Sequence, residues 1–254
     1  ISGGKKIRST IIFDAGKLIN IKERKLIEIC AAVECIHSYS LIHDDLPCMD
    51  DDSMRRGKLS THKKFGEATA VLAGNSLLTL AFEIIAHKKN SLSNKHKNQL
   101  IYLLSNCSGH TGIAGGQELD LKFENKKKSL KAIIDMQRKK TGKLFNFCLQ
   151  SVAIVGNKNA KEKDKFGKLG EEIGLLFQLT DDLLDIKGSK KLVGKLIKKD
   201  IKKGKSTLIS LMGYTSALRY TEKLKKKILN KLIKHGSNAN NLIETIKFIK
   251  GRNY

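Results

Sequence analysis

The chain has 254 residues, a formal net charge of +24, 40% hydrophobic residues, one proline and no tryptophan; such a length carries one substantial core, and the lack of proline with abundant Leu, Ile, Lys and Ala favours an all-α chain of long helices over a sheet protein. The basic balance is a footprint that nucleic-acid binders often leave, yet 42 of the 49 basic residues are lysines scattered along the chain. Base-reading Arg and stacking aromatics are scarce, so a nucleic-acid partner is not expected, whereas small anions would be drawn to the surface.

The chain opens on GGKKIR, where Gly3 and Gly4 feed Lys5, Lys6 and Arg8 into a turn that can meet an anion or be simply a loop. Over residues 23–43, Ile27, Cys30, Ala31, Val33, Cys35 and Ile36 recur at helical spacing and predict a buried helix. It leads into Asp44, Asp45, Asp50, Asp51 and Asp52, five carboxylates in nine residues, followed by Arg55 and Arg56. Carboxylates so crowded repel unless a cation lies between them. Oxygen ligands without a Cys or His pair suit a hard ion such as Mg²⁺, which takes one or two carboxylates plus substrate phosphates. Taken alone, such a cluster is more often solvated surface than a metal site. His37 stands seven residues before Asp44, two helical turns, so both can face one cavity, although a lone helical His is more often structural.

Residues 66–86 predict a second apolar helix with small residues for close packing, 87–98 a polar loop, and 99–120 a resumed helix containing GIAGGQELDL. After a lysine-rich loop at 125–129, one helix is predicted over 130–155, carrying Lys140 and Thr141. A polar break at 157–165 precedes a helix over 166–186 that ends on IGLLFQLTDDLLDI. Asp181 and Asp185 are four apart and share a helical face; Asp182 sits beside them, and Gln178, about one turn earlier, can aim its amide into the same pocket. Surface acid runs rarely have such apolar flanks. Two carboxylate faces on helices could pinch a diphosphate through bridging metal ions. Beyond a Gly/Lys connector, residues 208–254 predict two or three amphipathic helices, and no linker or repeat divides the chain.

The five cysteines, Cys30, Cys35, Cys48, Cys107 and Cys148, are odd in number and lack a CxxC pair, which fits reduced thiols in a cytoplasmic protein. The first residues, ISGGKKIRST, show no secretory apolar segment, and no apolar run is expected to approach the ~20 residues of a membrane span.

DDLPCMD with Arg55 and Arg56 behind it, DDLLD downstream, GGKKIR at the start and KTGKLF between them resemble the trans-isoprenyl diphosphate synthases. Pro47 and Cys48 inside the first motif are similar to the bacterial farnesyl diphosphate synthase subgroup. The resemblance covers nearly the whole chain. It implies a single polyprenyl synthase domain over residues 1–254, an isoprenoid-synthase-type helical bundle around a deep central cavity, and a homodimer. It implies Mg²⁺ held by Asp44, Asp45, Asp50, Asp181, Asp182 and Asp185. Isopentenyl diphosphate would be held by Lys5, Arg8, His37 and Arg56, and the allylic diphosphate by Arg55, Lys140, Lys195 and Lys205, with Asp200 matching a further acidic position. Thr141 would lie beside the developing cation, and Gln117 to Asp120 match a block of supporting residues. Asp44, Asp50, Asp181, Lys140, Thr141 and, by its spacing, Gln178 are the expected catalytic set. Two features depart from the family pattern. The usual proline after the arginine is Ser9, expected to loosen that loop. The chain also opens without Met directly on a motif that one or two helices usually precede, so an N-terminal piece is expected to be missing.

The implied chemistry is ionisation of an allylic diphosphate, with metal ions, Arg55, Lys140 and Lys195 neutralising the leaving group as its charge develops. The second substrate, held separately, attacks in a fixed orientation, and proton loss completes head-to-tail condensation. The expected product is farnesyl diphosphate from a dimethylallyl or geranyl primer, with geranylgeranyl diphosphate as the alternative. Ser40 lies four before Asp44, nearly beneath it, and Tyr39 adds a ring there. Related enzymes stop growth with a large residue at this place, so Tyr39 is expected to close the channel at fifteen carbons; a floor near Leu72 or Thr79 is the competing reading. Two rival functions differ in class. A class I terpene cyclase needs neither DDLLD nor a second diphosphate site, and a non-catalytic subunit or basic binding module of the same fold needs neither acid motif.

Overall fold

A computed structural model describes residues 4–191 and 208–251. Lys195, Asp200 and Lys205 lie outside the described residues, as does the side chain of Asp185. The chain runs through α1 (Ile7–Leu18), a 3₁₀ turn at Glu23–Lys25, α2 (Ile27–Asp44), a small hairpin of β1 (Met54–Arg55) and β2 (Lys58–Leu59), α3 (Thr61–Phe65), α4 (Glu67–Ala86), α5 (Asn94–Ser108) and α6 (Ile113–Phe123). There follow α7 (Leu130–Gln137), a π-helical stretch at Arg138–Gly142, α8 (Lys143–Val155), the long α9 (Ala160–Lys191), α10 (Leu208–Met212), α11 (Tyr214–Ile233), a 3₁₀ turn at Gly236–Ala239, and α12 (Asn240–Gly251). The all-α expectation holds; β1 and β2 pair antiparallel, Met54 with Leu59 and Arg55 with Lys58.

Helix α8 is buried on all but one narrow polar face, where half-buried Lys143 and Asn146 meet Glu171 of α9. Leu144, Phe145, Phe147, Cys148, Leu149, Ser151 and Val152 are all closed to solvent, each large apolar side chain contributing about 1.5–3 kcal/mol of transfer free energy. Around α8 pack α1, α2, α5 and α9, and α11 presents Ala217, Leu224, Ile228 and Leu232 inward with its lysines outward. Two helix starts carry side-chain caps: Ser93 Oγ accepts from the His96 N–H at 3.2 Å for α5, and Ser129 Oγ from Ala132 N–H at 3.2 Å for α7.

Three expectations change. The helix expected over 130–155 is interrupted by a π-helical stretch at the Lys140–Thr141 pair, a distortion that re-aims side chains and concentrates at functional sites. The segment 99–120 breaks at residues 109–112 into α5 and α6. One apolar run does reach membrane length: α4, at 20 residues, is apolar enough by composition to cross a membrane, with only 22% of its apolar window buried. It packs on α2 through Ala70, Gly74, Ala81 and Ile85, leaving Val71, Leu72 and Leu80 exposed.

Candidate active site

The first acid motif begins at the last residue of α2 and folds back on itself. Asp50 N–H donates to Asp44 O at 2.9 Å and Asp52 N–H to Asp45 O at 3.2 Å. The hairpin that follows turns through Arg56 and Gly57, both with positive φ (53° and 75°), the backbone of a type I′ turn. That turn returns Arg55 to the motif. Its Nε donates to Asp45 Oδ1 at 3.0 Å and Oδ2 at 3.2 Å, and Nη2 donates to the same carboxylate. Asp45, expected among the metal ligands, is therefore buried against a guanidinium, and the hydrogen bond to Asp45 raises the Arg55 pKa. Asp44 has a different neighbourhood. Burial pushes its carboxyl up to about 6, Asp50 adds to the rise, and Lys140 and Arg55 oppose it.

Lys140 and Thr141 reach the site because two helices approach the π-helical stretch without side chains between. A Cβ at Gly116 of α6 would overlap the Lys140 backbone, and one at Gly174 of α9 would stand 2.8 Å from Gly142 Cα. On the α6 side, Lys140 Nζ donates to Asp120 Oδ2 at 2.6 Å. On the α9 side, Thr141 Oγ1 donates to Gln178 Oε1 at 3.1 Å, and Gln178 Nε2 donates to Asp182 Oδ1 at 2.8 Å. Gln178 thus meets Asp182, one residue beyond the Asp181 it was expected to accompany. Through Lys140, Thr141 and Gln178 the two acid motifs become parts of one polar array.

A separate basic cavity of about 590 Å³ is lined by Lys5, Lys6, Arg8, Glu34, His37, Leu41, Arg55, Arg56, Phe177 and Asp181 among others. All four residues expected to hold isopentenyl diphosphate are in it. Arg8 is half-buried; its guanidinium lies over Phe145 at 5.0 Å and Phe177 at 6.0 Å from the ring centroids. Burial holds its pKa below the usual value, and its Nε has no hydrogen-bond partner among the described residues. Lys5 rests over the Phe248 ring at 5.5 Å. His37 is driven down to about 2, first by burial and then by Arg8, Arg56, Lys6 and Arg55, so at neutral pH it offers a neutral N–H rather than a charge. Ser9 does not loosen the loop. Its hydroxyl donates to Glu34 Oε1 at 2.8 Å and its N–H to the same oxygen at 3.3 Å, tying α1 to α2.

Tyr39, Ser40, His43, Asp44, Met49, Ile113, Ala114, Gln117, Glu118 and Leu121 line a second, smaller cavity of about 260 Å³. Tyr39 is buried with its ring edge-on to His43 at 5.4 Å, and Ser40 Oγ donates to His37 O at 3.0 Å. One wall is α2 and the other is α6, so neither Leu72 nor Thr79 lines it. Gln117 is buried with both amide atoms unpartnered among the described residues.

The residues fit magnesium in a particular way. Among the described residues no group of three His, Cys, Asp or Glu could hold a metal ion by itself, and Asp44 is a half-buried carboxylate whose charge is disfavoured without a cation. That donor set suits an ion completed by substrate phosphates rather than a closed protein cage. Sequence reasoning missed Glu34 and the Phe145–Phe177 pair, and it gave Lys6 only a place in the opening basic turn and Asp120 only a place in a supporting block. Glu34 was signalled by standing three residues before His37 on one face, and Asp120 by closing the GQELD block; the two rings carried no sequence signal.

The farnesyl diphosphate synthase of Bacillus subtilis (strain 168) is 40% identical over 217 residues, covering 85% of this chain and 73% of the relative. The apo crystal structure of an FPP/GFPP synthase from Zymomonas mobilis superposes with a TM-score of 0.87 at 37% identity, covering 98% of this chain and 85% of the other. The Helicobacter pylori geranyltransferase complexed with magnesium and isoprenyl diphosphate superposes with a TM-score of 0.82 at 30% identity, covering 97% and 82%. The family model for polyprenyl synthetase matches residues 1–248. With the family model matched over residues 1–248 and a curated relative 40% identical over 85% of its length, the chain belongs to the polyprenyl synthetase family.

Proposed function

We propose that this chain is a magnesium-dependent trans-prenyltransferase that joins isopentenyl diphosphate to dimethylallyl or geranyl diphosphate, head to tail, and yields farnesyl diphosphate. The observation that carries this reading is the division of labour around the acid motifs. A basic cavity suited to one diphosphate is lined by Arg55 and Asp181, and an apolar-walled cavity suited to a prenyl chain is lined by Asp44.

Mg²⁺, when bound with the allylic diphosphate, supplies positive charge to the leaving group, and Asp44, Asp50, Asp181, Asp182 and Asp185 are the residues that would hold it. Lys140, aimed by Asp120, adds a donor to that leaving diphosphate. As its C–O bond breaks, cationic character at the allylic carbon is met by the Thr141 hydroxyl, which Gln178 orients. Lys5, Arg8, His37 and Arg56 hold the second diphosphate so that its double bond faces that carbon. The new C–C bond forms from the π electrons, and one proton leaves with the released diphosphate as acceptor. No covalent nucleophile is required.

Three further readings belong with this proposal. A single domain over residues 1–254 is supported by one continuous core that includes residues from α1 to α12. A homodimer through α4 is supported by its exposed Val71, Leu72 and Leu80. A cytoplasmic address is supported by five unpaired cysteines, four of them buried. A longer product is favoured by one observation: a structural relative at 37% identity is an FPP/GFPP synthase.

The test is a product assay with labelled isopentenyl diphosphate and each primer, with Mg²⁺ present or chelated. Metal-dependent farnesyl diphosphate is the expected outcome. A longer product retains the reaction and removes Tyr39 as the floor; no product from a folded protein that also includes the family's preceding helices favours the non-catalytic reading.

A further inference from the structure

The first three or four N–H groups of any helix lack an intrahelical acceptor and welcome negative charge. In α1 nothing local meets this need. Its N-cap, Lys6, has a left-handed backbone (φ 47°) and makes no side-chain cap, and the first turn has no acidic residue. The acceptor comes from another helix. Glu34 of α2, with a side chain 12% exposed, takes both the N–H and the hydroxyl of Ser9 on Oε1 (3.3 and 2.8 Å) and faces Lys6 Nζ through Oε2 at 3.7 Å. One turn earlier on the same face of α2, the Cys30 thiol donates to Ser9 O at 3.8 Å. Ser9 is therefore held at its N–H, hydroxyl and carbonyl by one face of α2. That face continues through His37 and Leu41 into the wall of the basic cavity.

A carboxylate in an anion-binding cavity weakens anion binding if charge is all that matters, because Glu34 sits near Lys6 and Arg8. Its contacts give it another task. We propose that Glu34 is a positioning residue: an acidic cap lent by α2 to α1, which through Ser9 fixes the placement of Lys6 and Arg8 and so sets the affinity of the second diphosphate subsite. This rests on the reading of the basic cavity as the isopentenyl diphosphate site.

The two possibilities separate in the variants. Glu34→Gln removes the charge and keeps an oxygen that can accept from Ser9; Glu34→Ala removes both; Ser9→Ala removes the 2.8 Å hydrogen bond alone, and Ser9→Thr restores a hydroxyl. Steady-state kinetics with each substrate varied, alongside melting curves, should show KM for isopentenyl diphosphate raised about 5-fold in Ser9→Ala and more in Glu34→Ala, the scale of one lost hydrogen bond. KM for the allylic primer and kcat should stay within about twofold, Ser9→Thr should resemble the parent, and Glu34→Gln should be milder than Glu34→Ala. Should Glu34→Ala not fold, Ser9→Ala and Ser9→Thr carry the test. Equal shifts in both KM values, no shift, or tighter isopentenyl diphosphate binding in both Glu34 variants overturns the proposal. Arg8→Gln tests the cavity reading itself: if it raises only the allylic KM, the substrate assignment has failed, and if it raises the isopentenyl diphosphate KM while Ser9→Ala does not, only the positioning role has.

Discussion

His37 should make this protein measurably sensitive to mild acid. Partial burial first, and then the charges of Arg8, Arg56, Lys6 and Arg55 around it, lower its pKa from 6.5 to about 2. Because the folded value is depressed, the neutral ring contributes stability that is complete above 6.5 and is lost as pH falls from 6.5 towards 2. At about 1.4 kcal/mol per pH unit, the loss between pH 7 and pH 5 is about 2 kcal/mol, reduced to about 1–2 kcal/mol by water reaching a partly exposed ring. For a chain of this size that corresponds to roughly 3–6 °C in melting temperature. The perturbation is His37→Gln, which keeps a neutral donor and cannot charge. Melting curves of both proteins at pH 7 and pH 5, without ligand and at one protein concentration, should show the parent losing about 3–6 °C more than the variant. Equal losses would refute the reasoning, because they would mean that the charged ring is accommodated as well in the fold as in the unfolded chain.

The remaining predictions concern the prenyl cavity, the lysine and the outer face. Tyr39→Ala opens the wall beneath Asp44 and should lengthen the product beyond fifteen carbons; an unchanged product distribution by chromatography assigns the floor elsewhere. Asp120→Asn leaves Lys140, whose side chain is 22% exposed, without its carboxylate, which should cost about 1–3 kcal/mol in stability and lower kcat/KM for the allylic primer more than that for isopentenyl diphosphate. Leu72→Glu places a charge on the exposed face of α4 and should shift the protein to monomer in sedimentation; an unchanged mass would remove α4 from the interface.

The sequence by itself determined the parts that depend on near neighbours along the chain. Helical period and scarce proline predict the all-α frame, and acid pairs at helical spacing put Asp181 and Asp185 on one face. Motif resemblance placed Lys5, Arg8, His37 and Arg56 together, and the structure finds them in one cavity. What only the tertiary structure decided is which partner each charge takes. Asp45 looks like Asp44 in sequence, yet a two-residue turn through Arg56 and Gly57 returns Arg55 to the first and leaves the second beside Lys140. Ser9 read as a lost proline and proved to be an anchor, because its acceptor lies 25 residues away on another helix. The π-helical stretch was equally illegible: the periodicity of residues 130–155 is that of one helix, and the distortion sits where the Gly116 and Gly174 backbones close on it from two sides. Local pattern records which faces must be buried. Packing of α2, α6 and α9 onto the centre decides which carboxylate is neutralised, which lysine is aimed and which cavity is left apolar-walled for a growing chain.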